Sequence, residues 1–494
     1  MGSFTISQTL LALIGLGLMK VVSEVVYNLF FHPLRKYPGP LLWRATAFPY
    51  KLALVKGTMG FHAPELHNKY GETVRIAPNE LSYVQPQSYK DILGRPGKKE
   101  MLKDVSFAGT KVNGAWTMVT APYDDHRRMR RLFTHGFSTT ALRAQEPLLV
   151  KYCDQMVEKI SEVSKGPDGK VNILDVLNFT TFDIMAELSF GESLHMLESM
   201  EYSPWVSIIF KGLKFVCFRG VLPSIPFFGP LLSAWMAPKI EARSAEHQKF
   251  ASDLVDKRLA WTDCDKPDFW NFVLRHNEDG KGLTRAEMQT NAAAFMVAGT
   301  DTTAGATSGL IWYLCRNRSI YDTLVKEICT TFKHTDEITL GPLMEMEYLN
   351  AVIQEGLRLY TPGGAGITRI VPEGGADVLG DYLPEGISVT ISSYAAYQHP
   401  SNFSEPTRFA PERWIKKDSP RWAKDRREVY EPFGWGPRNC IGKNLAMLEL
   451  RLLLTKILYH YDIELLPECQ DWIRQKTFIT WQKPPLMIKA TRRQ

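Results

Sequence analysis

Residues 431–450 read EPFGWGPRNCIGKNLAMLEL, and the reading of this stretch decides the fold. Cys440 stands alone in a glycine-studded loop, with Arg438 two residues before it. From Ile441 onward, Leu445, Leu448, Leu452, Leu453 and Ile457 recur at helical spacing. Cys440 is therefore expected at or just before a helix N-terminus. The first N–H groups of a helix have no partner within it. Together with the positive end of the helix dipole they favour a thiolate over a thiol. Gly434 and Gly436 permit a tight loop, and Gly442 lets backbone or a flat ligand come close. Arg438 offers a forked donor suited to a carboxylate. The same residues also allow a plainer reading, a buried cysteine packed beside a turn.

The pattern is more specific than either reading alone. Phe433, Gly436, Arg438, Cys440 and Gly442 are five fixed positions within ten residues. They resemble the haem-binding signature of the cytochrome P-450 family. The resemblance implies that Cys440 is the proximal thiolate ligand of haem b (iron protoporphyrin IX), that Phe433 packs beside the thiolate and that Arg438 meets a haem propionate. Thiolate ligation favours O–O cleavage.

Bulk composition is compatible. The chain has 494 residues, 45% hydrophobic and 23% charged, an ordinary globular balance. The net charge of +6 is modest and dispersed, which suits an acidic partner or a membrane surface and does not point to nucleic acid. Seven cysteines without a C-x-x-C pair argue for a reducing compartment and against a disulfide scaffold or zinc site.

The N-terminus departs from this balance. Leu10 to Met19 is an unbroken apolar run, and Phe4 to Phe31 is long enough to span a bilayer with Lys20 and Glu24 inside it. No basic residue precedes the run and no small-residue cleavage site follows, so a signal peptide fits poorly. Arg35 and Lys36 after the run place the rest of the chain on the cytosolic side. An amphipathic helix lying on the membrane is the alternative. FFHPLRKYPGP also resembles the hinge of filamentous-fungal members of the family. The expected organisation is an anchor over 1–31, a proline-rich hinge over 32–40 and one catalytic domain over 41–494.

Residues 71–85 alternate like strand, helical patterns dominate from about 140 to 360, and 376–397 read as strand again. Proline and glycine mark 361–375 and 400–436 as irregular. The expected fold is mostly α with a minor β region, a single cytochrome P-450-like haem domain. The motifs lie between 126 and 440, and serving one haem requires them to converge.

Thr284 and Glu287 have capping-box spacing, so a helix is expected to run from there to about Cys315. Inside it, Ala298–Thr303 reads AGTDTT. A glycine and three threonines are poor helix formers, and threonine hydroxyls bond back to earlier carbonyls. The stretch suits a loosened helix packed on a neighbour, or a groove for a small ligand. It resembles the family's distal motif. That implies that Asp301 and Thr302 deliver protons to bound dioxygen, and that Ala298 and Gly299 leave room for it.

Glu355 and Arg358 lie at i and i+3 on one helical face, a weak signal alone. With PERW at 411–414 the pair resembles the family's structural triad, completed by Arg413. His126 and Arg130 are one helical turn apart in a run that could equally be a solvated basic face. The resemblance assigns both to the haem propionates, with His126 where most members carry Trp, and assigns Arg369 likewise. Arg127, Arg128, Arg131 and Lys443 would form a basic patch for an acidic reductase.

By the same resemblance, Phe107, Trp116, Phe295, Val297, Ile367 and Phe478 line an apolar substrate pocket, and residues 221–232 meet the membrane. As core residues they would look the same. The implied activity is that of a monooxygenase anchored in the endoplasmic reticulum. Electrons come from NADPH through a cytochrome P-450 reductase, with cytochrome b5 as an optional second donor, and a lipophilic molecule of fungal secondary metabolism is oxidised. Two rivals are a haem-thiolate isomerase or lyase without external electrons, and a non-catalytic haem protein. The Asp301–Thr302 pair argues against the first.

Overall fold

An exposed helix, α1 (Ile6–Val26), leads the chain and runs into a π-helical turn at Tyr27–Phe31. Leu11–Phe31 is long and apolar enough to cross a membrane, and none of it is buried against the rest of the chain. Its two charges pair with each other, Lys20 Nζ lying 3.8 Å from Glu24 Oε1. The junction is held to the domain by polar bonds. Arg75 donates to the Asn28 carbonyl at 2.9 Å, Asn28 Nδ2 donates to the Ala45 carbonyl at 2.9 Å, and the His32 ring meets Asn79 Oδ1 at 2.7 Å. The computed structural model describes all residues except 1–5, 95–98, 105–108, 110, 167–168, 204, 207–216, 223–228, 262–265, 276–281, 365, 417–418 and 494.

Helices α2 (Phe48–Lys56) and α3 (Met59–Tyr70) lead into the hairpin β1 (Thr73–Ala77) and β2 (Glu80–Tyr83), within the 71–85 stretch expected to be strand. A helical body follows: α4 (Tyr123–Phe133), α5 (Thr139–Ser164), the short β3 (Lys170–Asn172), α6 (Ile173–Phe190), α7 (Gly229–Leu259), α8 (Arg285–Arg316), α9 (Arg318–Thr331) and α10 (Glu347–Leu359). Helix α6 is buried along almost its whole length, as a helix apolar on nearly all sides must be, and α8 packs along it. The capping box that starts α8 is formed in full: Glu287 N donates to Thr284 Oγ1 at 3.2 Å and Thr284 N to Glu287 Oε2 at 2.9 Å.

The chain then returns to the first hairpin. Strands β4 (Ile367–Ile370) and β7 (Ser388–Ile391) complete a sheet of order β1-β2-β7-β4, with β2 and β7 parallel and the other pairs antiparallel. Between them, β5 (Ala376–Val378) and β6 (Asp381–Leu383) form a small hairpin. Two expectations need correction. Strand β4 lies inside 361–375, which composition marked as irregular. Strand ends at Ile391 instead of 397, and Ser393–Gln398 is a helix, α11. Tertiary partners decide this: Tyr397 is fully buried and its carbonyl accepts from Arg358 at 2.7 Å.

A one-turn helix, α12 (Glu412–Ile415), interrupts the next irregular segment, and α13 (Lys443–His460) follows the cysteine loop. Strands β8 (Tyr461–Leu465) and β9 (Met487–Arg492) close a second sheet of order β3-β9-β8. One apolar core joins the helical body, and a second lies around the four-stranded sheet. The cysteine loop and the middle of α8 face one shared cavity.

Candidate active site

That cavity, about 360 Å³, is lined on the loop side by Phe433, Gly434, Arg438, Cys440 and Gly442, and on the α8 side by Ala298, Gly299, Thr302 and Thr303. The loop is held by its backbone. Cys440 N donates to the Phe433 carbonyl at 2.7 Å. Gly436 has φ +76°, and a Cβ there would lie 2.4 Å from the Leu93 carbonyl oxygen, so glycine is required twice over. Helix α13 begins at Lys443 with Gly442 as its cap, two residues later than the sequence pattern suggests. This matters for the thiol. Cys440 is exposed only in the sense that it faces the cavity, and protein surrounds it. Burial pushes its pKa up, and the Gly442 N–H, Arg130 and Lys443 only partly offset that. The surroundings of Cys440 therefore do not by themselves favour a thiolate, contrary to the expectation from helix position.

The basic residues form a cluster beside the loop. Arg438 forks onto the Glu100 carboxylate and donates to the Ala121 carbonyl at 3.0 Å. Burial, with Arg438 and Arg369 adding to it, lowers the Lys103 ammonium to about 7. Burial and the Arg438 charge lower Arg369 to about 10. His126 is buried and lowered to about 4 by the same desolvation, with Arg438, Lys103 and Arg130 contributing, so it is neutral at pH 7. Among the described residues, Glu100 is the carboxylate that opposes these charges in His126, Lys103 and Arg369 alike. Lys103 and Glu100 were not singled out from sequence, because nothing local distinguishes them from ordinary surface charges. Arg130 bonds Asn439, by its carbonyl at 2.6 Å and its Oδ1 at 2.5 Å, and so braces the residue before Cys440. Arg128 does not belong to a free basic patch, since it pairs with Glu287 at 2.5 Å and Asp125 at 3.3 Å. Arg127, Arg131 and Lys443 are exposed.

On α8 two of the three threonines of the AGTDTT stretch bond back as expected. Thr302 Oγ1 donates to the Ala298 carbonyl at 2.6 Å and Thr300 Oγ1 to the Met296 carbonyl at 2.7 Å. The helix nevertheless runs unbroken. Gly299 serves packing as much as room for a guest: a Cβ there would lie 2.5 Å from Met185 Sδ of α6. Asp301 is buried off the cavity wall, with Oδ1 2.7 Å from Lys483 Nζ. Glu449 of α13, missed from sequence because it reads as one charge in a leucine-rich helix, lines the cavity. Burial raises its pKa to about 8, Thr303 is its hydrogen-bond partner, and its Oε1 is unsatisfied among the described residues.

Of the expected pocket residues, Phe295 and Ile367 line this cavity. Trp116, Val297 and Phe478 do not lie on its wall. Trp116 and Val297 pack at the edge of the helical core, and Phe478 packs against Gly57. Phe107 lies outside the described residues.

The structural triad assembles behind the loop. Glu355, Arg358 and Arg413 are fully buried. Arg358 forks onto Glu355 at 2.9 and 2.8 Å, and Arg413 Nε donates to Glu355 Oε1 at 3.0 Å. Burial alone would raise the Glu355 pKa, but Arg358 and Arg413 hold it below the ordinary value. Asp425, a fourth member not foreseen, accepts from Arg413 Nη1 at 2.6 Å, and Trp414 Nε1 donates to Glu355 at 2.9 Å.

This arrangement fits a flat prosthetic group with two carboxylates. A soft sulfur ligand faces the cavity, and beside it Arg438, Arg369 and Lys103 are gathered around the single carboxylate of Glu100 among the described residues. The comparisons agree. The family described as "Cytochrome P450" matches residues 36–490, and the chain belongs to that family. "Cytochrome P450 monooxygenase efuB" of Hormonema carpetanum is 42% identical over 472 residues, 95% of this chain and 93% of that protein. "Cytochrome P450 monooxygenase FUM2" of Gibberella moniliformis is 41% identical over 474 residues, 94% and 99% of the two chains. "Versicolorin B desaturase stcL" of Emericella nidulans is 39% identical over 501 residues, 99% of each. The protein is a monooxygenase, an oxidoreductase of the haem-thiolate kind.

Proposed function

We propose that Cys440 would hold the iron of haem b through its sulfur and that the chain oxidises a lipophilic small molecule of fungal secondary metabolism, by hydroxylation, epoxidation or desaturation. The observation that carries the reading is the cavity with Cys440 on its loop side and Thr302 on its α8 side. Haem supplies the activation of dioxygen. A coordinated thiol is deprotonated outright, which reverses the burial effect on Cys440. Phe433 and Gly442 flank the sulfur. Arg438, Arg369, Lys103 and His126 hold the propionates, while Arg130 fixes the loop through Asn439. Thr302 and Asp301 supply protons on the α8 side, and Ala298 leaves space there. Phe295 and Ile367 present an apolar face to substrate.

Electrons come from NADPH through a cytochrome P-450 reductase, for which exposed Arg127, Arg131 and Lys443 offer an acidic partner a basic surface. Cytochrome b5 is an optional second donor. The protein sits in the endoplasmic reticulum membrane through 1–31, followed by a hinge over 32–40 and the catalytic domain over 41–494, facing the cytosol. The exposed apolar residues Leu41, Leu42 and Phe48 after the hinge, with Leu231 in the partly described 221–232 stretch and Trp235 just beyond it, support membrane contact. The test is the carbon monoxide difference spectrum of the reduced protein. A thiolate-type Soret band, lost in Cys440→Ala, is expected. Its absence from folded, haem-loaded protein would overturn the assignment.

A further inference from the structure

Asp301 is held by a residue from the far end of the chain. Lys483 Nζ lies 2.7 Å from Asp301 Oδ1, with side chains only 6% and 4% exposed, and donates to the Trp481 carbonyl at 3.2 Å. Helix α8 is shaped to admit it: a Cβ on Gly305 would meet Lys483 Cδ at 3.3 Å and Nζ at 3.4 Å. The other carboxylate oxygen, Asp301 Oδ2, is buried with no hydrogen-bond partner among the described residues. A buried acceptor left open carries a cost of about 1–3 kcal/mol, so its persistence needs a reason. A constrained turn ends two residues before Lys483. Thr477 pairs with Trp481, and Trp481 Nε1 donates to the Thr361 carbonyl at 2.7 Å.

We infer that Lys483 is a positioning residue for Asp301. By holding Oδ1 it leaves Oδ2 as the oxygen that takes a proton relayed through water from bulk solvent and passes it, through a second water, to the Thr302 hydroxyl, which gives up its own proton toward the cavity. The carboxylate gains and loses one proton in each passage and is unchanged overall. This rests on the relay role proposed above for Asp301 and Thr302.

The test uses full-length, haem-loaded protein with NADPH and a cytochrome P-450 reductase, without added substrate. NADPH consumption and peroxide release are measured in water and in deuterium oxide. Lys483→Met is expected to slow consumption about tenfold, less than the roughly 100-fold or more that a general acid can contribute, and to enlarge the solvent isotope effect. Lys483→Arg is expected to restore most of both. Thermal midpoints give a readout apart from turnover. Lys483→Met alone should fall, and Lys483→Met with Asp301→Asn should recover, because the orphaned charge is gone. Wild-type rate and isotope effect in Lys483→Met, beside a slowed Asp301→Asn, would overturn the inference and leave the relay standing. Wild-type behaviour in both Asp301→Asn and Thr302→Ala would overturn the relay itself. Should Lys483→Met fail to hold haem, Lys483→Gln decides by the same readings.

Discussion

Arg413 Nε donates to Glu355 Oε1 at 3.0 Å across 58 residues of sequence, and neither side chain is exposed. The bond closes a buried cluster in which each charge is matched. Glu355 serves Arg358 and Arg413, and Asp425 takes the second arm of Arg413. The segment from Ala410 to Asp425 is thereby pinned to α10, upstream of the cysteine loop.

Breaking such a cluster on one side leaves a buried charge unpaired. Arg413→Leu should cost about 3–5 kcal/mol, read as a lower thermal midpoint and poor haem retention. Arg413→Lys should recover little, since an ammonium cannot reach Glu355 and Asp425 as a planar fork does. Near-wild-type stability in the leucine variant would contradict the structural role.

The Glu449 pKa of about 8 sets a pH dependence. Its folded value lies above the unfolded one, so its stability contribution is complete below about pH 4.5 and is lost as pH rises toward 8. Wild-type stability should decline across this window by up to about 1.4 kcal/mol per pH unit from this group. Glu449→Gln should remove that slope in thermal midpoints measured at several pH values. An unchanged slope would show that Glu449 is not protonated when folded.

Lys103, lowered to about 7 by burial among arginines, should take up a proton when two carboxylates arrive beside it. Haem retention should therefore weaken between about pH 7 and pH 9, seen as faster haem transfer to an apoprotein acceptor. Lys103→Met should flatten this dependence. An equally steep profile in that variant would place the titrating group elsewhere.

Gly436 has no tolerance for a side chain. Gly436→Ala must accommodate a left-handed φ and a Cβ within 2.4 Å of the Leu93 carbonyl. Loss of about 2 kcal/mol or more, with the carbon monoxide band diminished, is the expected result. Gly442→Ala meets nothing closer than 3.8 Å and should fold, which makes it a control for loop strain.

Much of the site was legible because its signals are local. The signature around Cys440 is contiguous, and the α8 capping box and Glu355–Arg358 pair are short-range spacings that the structure reproduces. Ser393–Gln398 was misread because its strand-like composition is overridden by the burial of Tyr397 and the bond from Arg358. Trp116 and Val297 were expected at a pocket wall and pack at the edge of the helical core instead, since apolar type does not tell a wall from a core.

By itself the sequence determined the helical class, the apolar leading segment and the identity of the sulfur facing the cavity, since each depends on residues close together in the chain. Only the tertiary structure decided which charges meet. Glu100 reaches Arg438 across 338 residues, Asp425 completes the arginine cluster, and Lys483 occupies one oxygen of Asp301. The reason is physical. A charge buried in low dielectric must find a partner wherever the fold supplies one, and that partner leaves no trace in local spacing.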